Sequence, residues 1–147
     1  MFVGTSQRKL DDKGRIVLPA ALRDELTGPG YIAVTDECLS IWTEAGYHEF
    51  AELLTKRVRE GQDGERLSQM VKRKLHASTE RIRADSQGRI TLPAALLEKA
   101  GIGSGAGTEV VVNGNYESIN IWAPEVWARL DEESDDEFVE ALRMGGF

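Results

Sequence analysis

The chain has 147 residues, room for one ordinary domain or two very small ones, and 41% of them are apolar, enough for a core. With 29% charged and 7% aromatic residues it reads as globular rather than disordered, and no run approaches the roughly 18 apolar residues of a membrane span. The formal net charge of −7 argues by itself against a nucleic-acid partner, and a single cysteine, Cys38, excludes an internal disulfide.

The opening MFVGTSQRKL lacks the apolar run of a signal peptide, so a cytoplasmic location is the expectation. Phe2 to Leu10 reads as extended, as does Ala77 to Ala84 further along the chain. There follows DDKGRIVLPAAL from Asp11, and the phrase returns as DSQGRITLPAAL from Asp85. Asp, Gly, Arg, Ile, Leu, Pro, Ala, Ala and Leu recur in register, which marks a duplicated structural unit. Each copy predicts a turn, Asp-x-x-Gly. Gly14 and Gly88 supply the freedom for φ > 0, and the carboxylates of Asp11 and Asp85 bond turn N–H groups. A strand then begins at Arg15 or Arg89. Pro19 or Pro93 opens a short helix, ending near Thr27–Gly28 in the first copy and at Gly101 in the second.

A hairpin follows in each copy, Tyr31 to Thr35 with Leu39 to Trp42, and Glu109 to Asn113 with Ser118 to Trp122. The glycine-rich GIGSGAG lengthens the second copy. It comes after a helix and before a strand, the reverse of a dinucleotide-binding loop, and reads as a connection. Trp42 and Trp122 end equivalent strands and are expected to pack on the helices that follow. One lone hairpin is marginal in water, so the two copies are expected to interlock and share a core.

Between the copies, Tyr47, Phe50, Leu54 and Val58 form one face of a helix that Thr43 caps. A second helix carries Leu67, Met70, Val71 and Leu75 on one stripe and Arg66, Lys72, Arg73 and Lys74 outside it. After the second copy a short helix is expected over Pro124 to Leu130. Another is expected from Ser134, capped by a Ser134/Glu137 box, with Phe138, Val139 and Leu142 on its apolar side. The division is therefore 5–47 and 76–125 for the two copies, 48–75 for a helical connection and 126–147 for an acidic tail.

Charge is segregated along the chain. Residues 1–23 carry Arg8, Lys9, Lys13, Arg15 and Arg23 against Asp11 and Asp12; residues 24–54 have seven acids and no Lys or Arg; residues 55–75 are basic again. An arginine held beside a tight turn loses little entropy on binding, and its planar fork matches a phosphate or the O6/N7 edge of guanine. Lys13 adds a point charge for a phosphate. Two roles are open to Arg15: contact with a polyanion, or bracing of the turn through Asp11. In the second copy Gln87, Ile82 and Leu97 replace Lys13, Arg8 and Arg23, while Arg89 is kept, so the first copy is the better polyanion surface and the second is partly structural. His48 and His76 have no clustered ligands around them, no nucleophile motif is present, and paired carboxylates such as Asp11/Asp12 suit turn chemistry. The sequence points to no enzyme, cofactor, metal or small-molecule substrate.

Taken together, the MFxG start, LDDKGR (Leu10 to Arg15), HAS (His76 to Ser78), ADSQGRI (Ala84 to Ile90) and the two Ile-Trp pairs resemble the MraZ family, with its tandem SpoVT-AbrB domains. The resemblance covers nearly the whole chain. It implies an α+β fold of two AbrB-like swapped-hairpin halves forming a pseudo-dimeric β-barrel with flanking α-helices. It also implies a ring of subunits that binds double-stranded DNA at direct repeats upstream of the division and cell-wall gene cluster, at the nucleoid. The DNA-contact role falls on Arg15 first, then on Lys13, Arg8, Lys9, Arg23 and Arg89, with Asp11, Gly14, Asp85 and Gly88 shaping the turns. The alternative is an antitoxin-like module whose acidic tail masks a partner protein.

Overall fold

A computed structural model describes residues 1–147. In chain order it contains β1 (Thr5–Lys9), β2 (Arg15–Val17), α1 (Ala20–Arg23), β3 (Gly30–Thr35), β4 (Cys38–Thr43), α2 (Glu44–Arg59), α3 (Gly64–Ser78), β5 (Glu80–Ile82), β6 (Arg89–Thr91), α4 (Ala94–Lys99), β7 (Glu109–Gly114), β8 (Ile119–Trp122) and α5 (Pro124–Met144). Six strands make one sheet in the order β1-β7-β8-β4-β3-β5, and β2 and β6 make a separate two-stranded ribbon. Every pairing is antiparallel.

The strand order is unchanged when the two sequence copies are exchanged, because β1 corresponds to β5, β7 to β3 and β8 to β4. Each copy's first strand pairs with the other copy's hairpin: Thr5–Lys9 runs along Asn113–Glu109, and Glu80–Ile82 along Ile32–Gly30. Near the pseudo-two-fold axis β4 pairs with β8 and β2 with β6. Interlocking is therefore complete, and neither copy could satisfy its own backbone groups alone. The strands flanking each Asp-x-x-Gly turn do not form a ladder with each other, since both pair across to the opposite copy.

The fold is α+β with an antiparallel sheet, as expected, but its hydrogen bonds do not close a barrel. β1 and β5 remain edges. The reason lies in the ribbon: β2 and β6 pair with one another, so no strand is left to bridge the two edges.

Side-chain alternation divides the sheet into two faces. Ile32, Leu39, Ile41, Val110, Val112, Ile119 and Ile121 point into the main core, where Ile16, Ile90, Leu22, Leu96 and Leu97 of the ribbon, α1 and α4 meet them. The opposite face carries Ala33 and Trp42, on which α2 docks through Tyr47 and Phe50. Trp42 stacks on Phe50 at 4.6 Å, and Trp122 lies 5.7 Å from Trp127 of α5, so both tryptophans pack on the following helix. Thr43 caps α2, its Oγ1 accepting from the Gly46 N–H at 3.0 Å.

Several boundaries differ from the sequence expectation. Pro19 and Pro93 occupy the cap position, one residue before their helices, and α1 stops at Arg23 rather than near Thr27. The second extended stretch starts at Glu80, not Ala77, because α3 continues through Ser78. The two expected C-terminal helices are one, Pro124–Met144. The Ser134 hydroxyl donates to the Leu130 carbonyl at 2.6 Å, an i−4 bond inside a continuing helix, so no capping box forms. No helix is long and apolar enough to cross a membrane.

Ile90, fully buried at the ribbon's inner face, tests the shared core. Ile90→Ala is expected to lower stability by about 2–5 kcal/mol, read as a fall in the urea midpoint.

Candidate nucleic-acid interface

The two turns have the same geometry. In the first, the Gly14 N–H donates to the Asp11 carbonyl at 3.1 Å and the Asp11 N–H to the Arg15 carbonyl at 2.9 Å; in the second, Gly88 and Asp85 with Arg89 repeat this at 3.0 and 2.9 Å. Gly14 and Gly88 have φ of +73° and +75°, a conformation side chains oppose. Asp11 Oδ1 accepts from the Lys13 and Arg15 N–H groups at 2.9 and 2.8 Å. Its Oδ2 accepts from Arg15 Nε at 2.7 Å. Asp85 holds Gln87 and Arg89 in the same way, with Arg89 Nε at 2.8 Å.

Bracing and presentation thus turn out to be compatible. Only Nε of each arginine is committed to its aspartate. The Nη nitrogens make no bond within the chain, and no buried side-chain nitrogen or oxygen lacks a partner, so the Nη groups reach solvent. The Arg15 and Arg89 side chains are 23% and 26% exposed. Each guanidinium is oriented by a fixed carboxylate with its outer edge free.

The β2–β6 register sets the two arginines against each other. Arg15 pairs with Thr91, Ile16 with Ile90 and Val17 with Arg89. Ile16 and Ile90 face the core, which leaves Arg15, Val17, Arg89 and Thr91 on the outer face. The two arginines are diagonal neighbours there, about 7–8 Å apart by strand geometry. The sequence marked both residues but not their union on one ribbon. The signal was present in RIV and RIT, where the central isoleucine alternates with its neighbours.

The remaining cations take different places. Lys9 and Lys13 are exposed. Arg8 spends its donors on the chain itself, with Nε to the Val17 carbonyl at 2.9 Å and Nη1 to the Gln7 carbonyl at 2.8 Å, tying β1 to the ribbon. Arg23 leaves α1 and crosses to the other copy's turn. A Cβ at Gly88 would collide with its side chain, so Gly88 is needed both for its φ and for the room. Leu97, the equivalent of Arg23, is buried in the core instead, so the crossing occurs once. Sequence reasoning missed this contact because the two residues are far apart in the chain.

The Arg15 backbone N–H, then the Arg15 guanidinium and the Lys13 N–H, hold the Asp11 carboxyl at about 2, below its ordinary 3.8. Asp85 is lowered by the matching bonds from Arg89 and Gln87. Elsewhere, burial pushes the Cys38 thiol up, which keeps it protonated and unreactive at neutral pH. No group of His, Cys, Asp and Glu side chains is arranged to hold a metal ion. His48 pairs with Glu52 on α2, and His76 Nδ1 lies 2.7 Å from the Tyr47 hydroxyl.

Because the folded-state value of Asp11 is depressed, its contribution to stability is complete above the unfolded value near 3.8 and is lost as pH falls toward 2. Asp11→Asn is therefore expected to lower the urea midpoint at pH 7 and to flatten its decline between about pH 4 and 2.

Comparison with known proteins places these features in a family. The family model described as "MraZ protein, putative antitoxin-like" matches residues 1–69 and 75–144. The chain is 37% identical over 143 residues to a transcriptional regulator MraZ of Corynebacterium efficiens, covering 96% of this chain and 94% of that one. It is 38% identical to the Corynebacterium diphtheriae protein of the same name, with the same coverage, and 34% identical to that of Saccharopolyspora erythraea, again over 96% and 94%. The duplicated turn, the interlocked halves and this near full-length similarity agree: the chain belongs to the MraZ family, a family of transcriptional regulators and not of enzymes.

Proposed function

We propose that this protein regulates transcription by binding double-stranded DNA through the outer face of the β2–β6 ribbon and its two turns, and that the interlocked halves are the AbrB-like swapped-hairpin arrangement. The observation that carries the reading is the pair of arginines, Arg15 and Arg89, each with Nε fixed by an aspartate and its Nη edge turned to solvent. A B-DNA major groove, about 12 Å wide, admits a two-stranded ribbon, and an arginine fork reads guanine there with two parallel bonds. Lys9 and Lys13 sit beside the first turn and would meet phosphates. Arg23, leaning over Gly88, carries charge from the first copy to the second turn, where Gln87 has replaced lysine. Arg8, engaged with two carbonyls, contributes mainly by holding β1 against the ribbon.

The expected targets are direct repeats upstream of the division and cell-wall gene cluster, met by a ring of copies in the cytoplasm at the nucleoid. A few cations per subunit bind weakly, but repeated sites on linked subunits gain roughly 10²–10⁴ in avidity. This lets a chain of net charge −7 engage DNA through one local basic surface. The antitoxin-like alternative draws on the family description and on the exposed acidic end of α5. It predicts capture of a partner protein through that helix and no shift of promoter DNA.

Two measurements on the DNA upstream of the protein's own gene test the reading. The logarithm of the affinity is expected to fall linearly with the logarithm of salt, by about 0.9 per phosphate neutralised; a flat response counts against it. Arg15→Ala, with folding checked by circular dichroism, is expected to weaken specific binding by about 1–3 kcal/mol per ribbon, multiplied across the ring. Arg89→Ala is expected to have a smaller effect, because fewer cations surround it. Unchanged binding in Arg15→Ala would leave the arginine as a turn brace only.

A further inference from the structure

The second half of α5 has no partner. Its root is held, with Val126 against the main core, Trp127 beside Trp122, and Arg129 donating to Glu37 at 2.8 Å. From Asp131 onward every residue is exposed, including Phe138 at 63% and Leu142 at 41%. Ser134, Phe138 and Leu142 follow one another at helical spacing, with Asp131 and Asp135 on the same side. Residues 131–147 hold seven acids and one base, Arg143. A projecting helix of that composition repels itself and is marginal without tertiary packing.

The duplication shows what is missing. With an offset of 80, Trp42 matches Trp122, Tyr47 matches Trp127, Phe50 matches Leu130 and Val58 matches Phe138, so α5 is the counterpart of α2. But α2 is covered by α3: Leu75 packs against the Trp42 and Tyr47 cluster, and the Tyr47 hydroxyl meets His76 Nδ1 and Thr79 Oγ1 at 2.7 and 3.1 Å. Within residues 1–147 no second-copy equivalent of α3 packs on α5. The outward side of α3 has the complementary character. Arg66, Met70, Arg73 and Lys74 recur at helical spacing beside Leu67, with Met70 and Leu67 half-buried and the three cations exposed. Arg73 and Lys74 are in no ion pair, whereas Arg66 pairs with Asp63 at 2.7 Å.

We propose that the second half of α5 docks on the outward face of α3 of a second copy of this chain, with Phe138 and Leu142 against Leu67 and Met70. Asp131 and Asp135 then face Arg73 and Lys74. The apolar centre and charged rim are the ordinary anatomy of a protein interface. Within one copy the two surfaces do not pack together, since every residue from Asp131 onward is exposed. The contact is heterologous, so each copy both gives an α5 and receives one, and the series closes into a ring when the rotation permits. This inference deepens the ring reading above and rests on it.

The test is the mass of the full-length protein in solution, by light scattering, for the native chain and two charge reversals. Arg73→Glu/Lys74→Glu reverses the acceptor, and Asp131→Lys/Asp135→Lys reverses the donor. Each variant alone is expected to give smaller species with unchanged far-ultraviolet circular dichroism. An equimolar mixture is expected to restore the assembly, because every junction can then match native with native or reversed with reversed. Should a reversal disturb folding, Phe138→Ser/Leu142→Ser, at exposed positions, is expected to give the same loss of mass. If the native chain assembles and the variants keep its mass, or if mixing fails to restore it, the α3–α5 contact is wrong and the ring stands on other surfaces. A native chain that runs as a monomer removes both. Reversals of α3 that still assemble but lose promoter DNA would give that face to nucleic acid instead.

Discussion

The antiparallel pairing of β2 with β6 is the constraint on which the other features depend. It is only three residues deep, yet it joins the two copies of the repeated phrase at the pseudo-two-fold axis. Its central pair, Ile16 and Ile90, is fully buried in the shared core. Its outer pairs carry the arginines. A register slip of one residue would send the isoleucines to solvent and the guanidinium groups inward, so burial on one side enforces presentation on the other.

The turns complete what the ribbon begins. Each aspartate satisfies two backbone N–H groups and one guanidinium nitrogen, so the turn and the arginine beside it form one rigid unit. The depressed Asp11 carboxyl is the electrostatic signature of that unit, with backbone N–H donation as its largest cause. A guanidinium held this way keeps its outer nitrogens free, whereas Arg8 shows the opposite case, a cation consumed by backbone carbonyls. Proximity in sequence did not separate these two arginines; their hydrogen bonds do.

Duplication has also left asymmetry. Arg23 reaches across to Gly88, and its counterpart Leu97 fills the core. The helix after the first hairpin is covered by α3, and the helix after the second is bare beyond Leu130. The basic residues of α3 and the acids of α5 account for much of the charge segregation along the chain. A negative net charge is therefore compatible with a cationic ribbon, because the excess acid is concentrated on one helix. Most of that helix projects away from the sheet.

The sequence by itself determined the local units. The repeated Asp-x-x-Gly-Arg phrase required a left-handed glycine and a carboxylate-bound turn, and both turns have them. Short β-rich runs between turn residues located the hairpin strands that became β3, β4, β7 and β8, and helical spacing identified α2 and α3. These features depend on interactions within a few residues, which a linear pattern records. Only the tertiary structure decided which strands pair, that the sheet remains open at β1 and β5, that Arg15 and Arg89 share a ribbon face, and that Arg23 covers Gly88. The continuity of α5 through Ser134 also lay outside the local pattern, since the same Ser-x-x-Glu spacing permits a cap or an i−4 hydroxyl bond. Each of these outcomes joins residues of opposite copies or selects between two locally satisfied conformations, and the choice is made by burial of the shared core, which no short stretch of sequence contains.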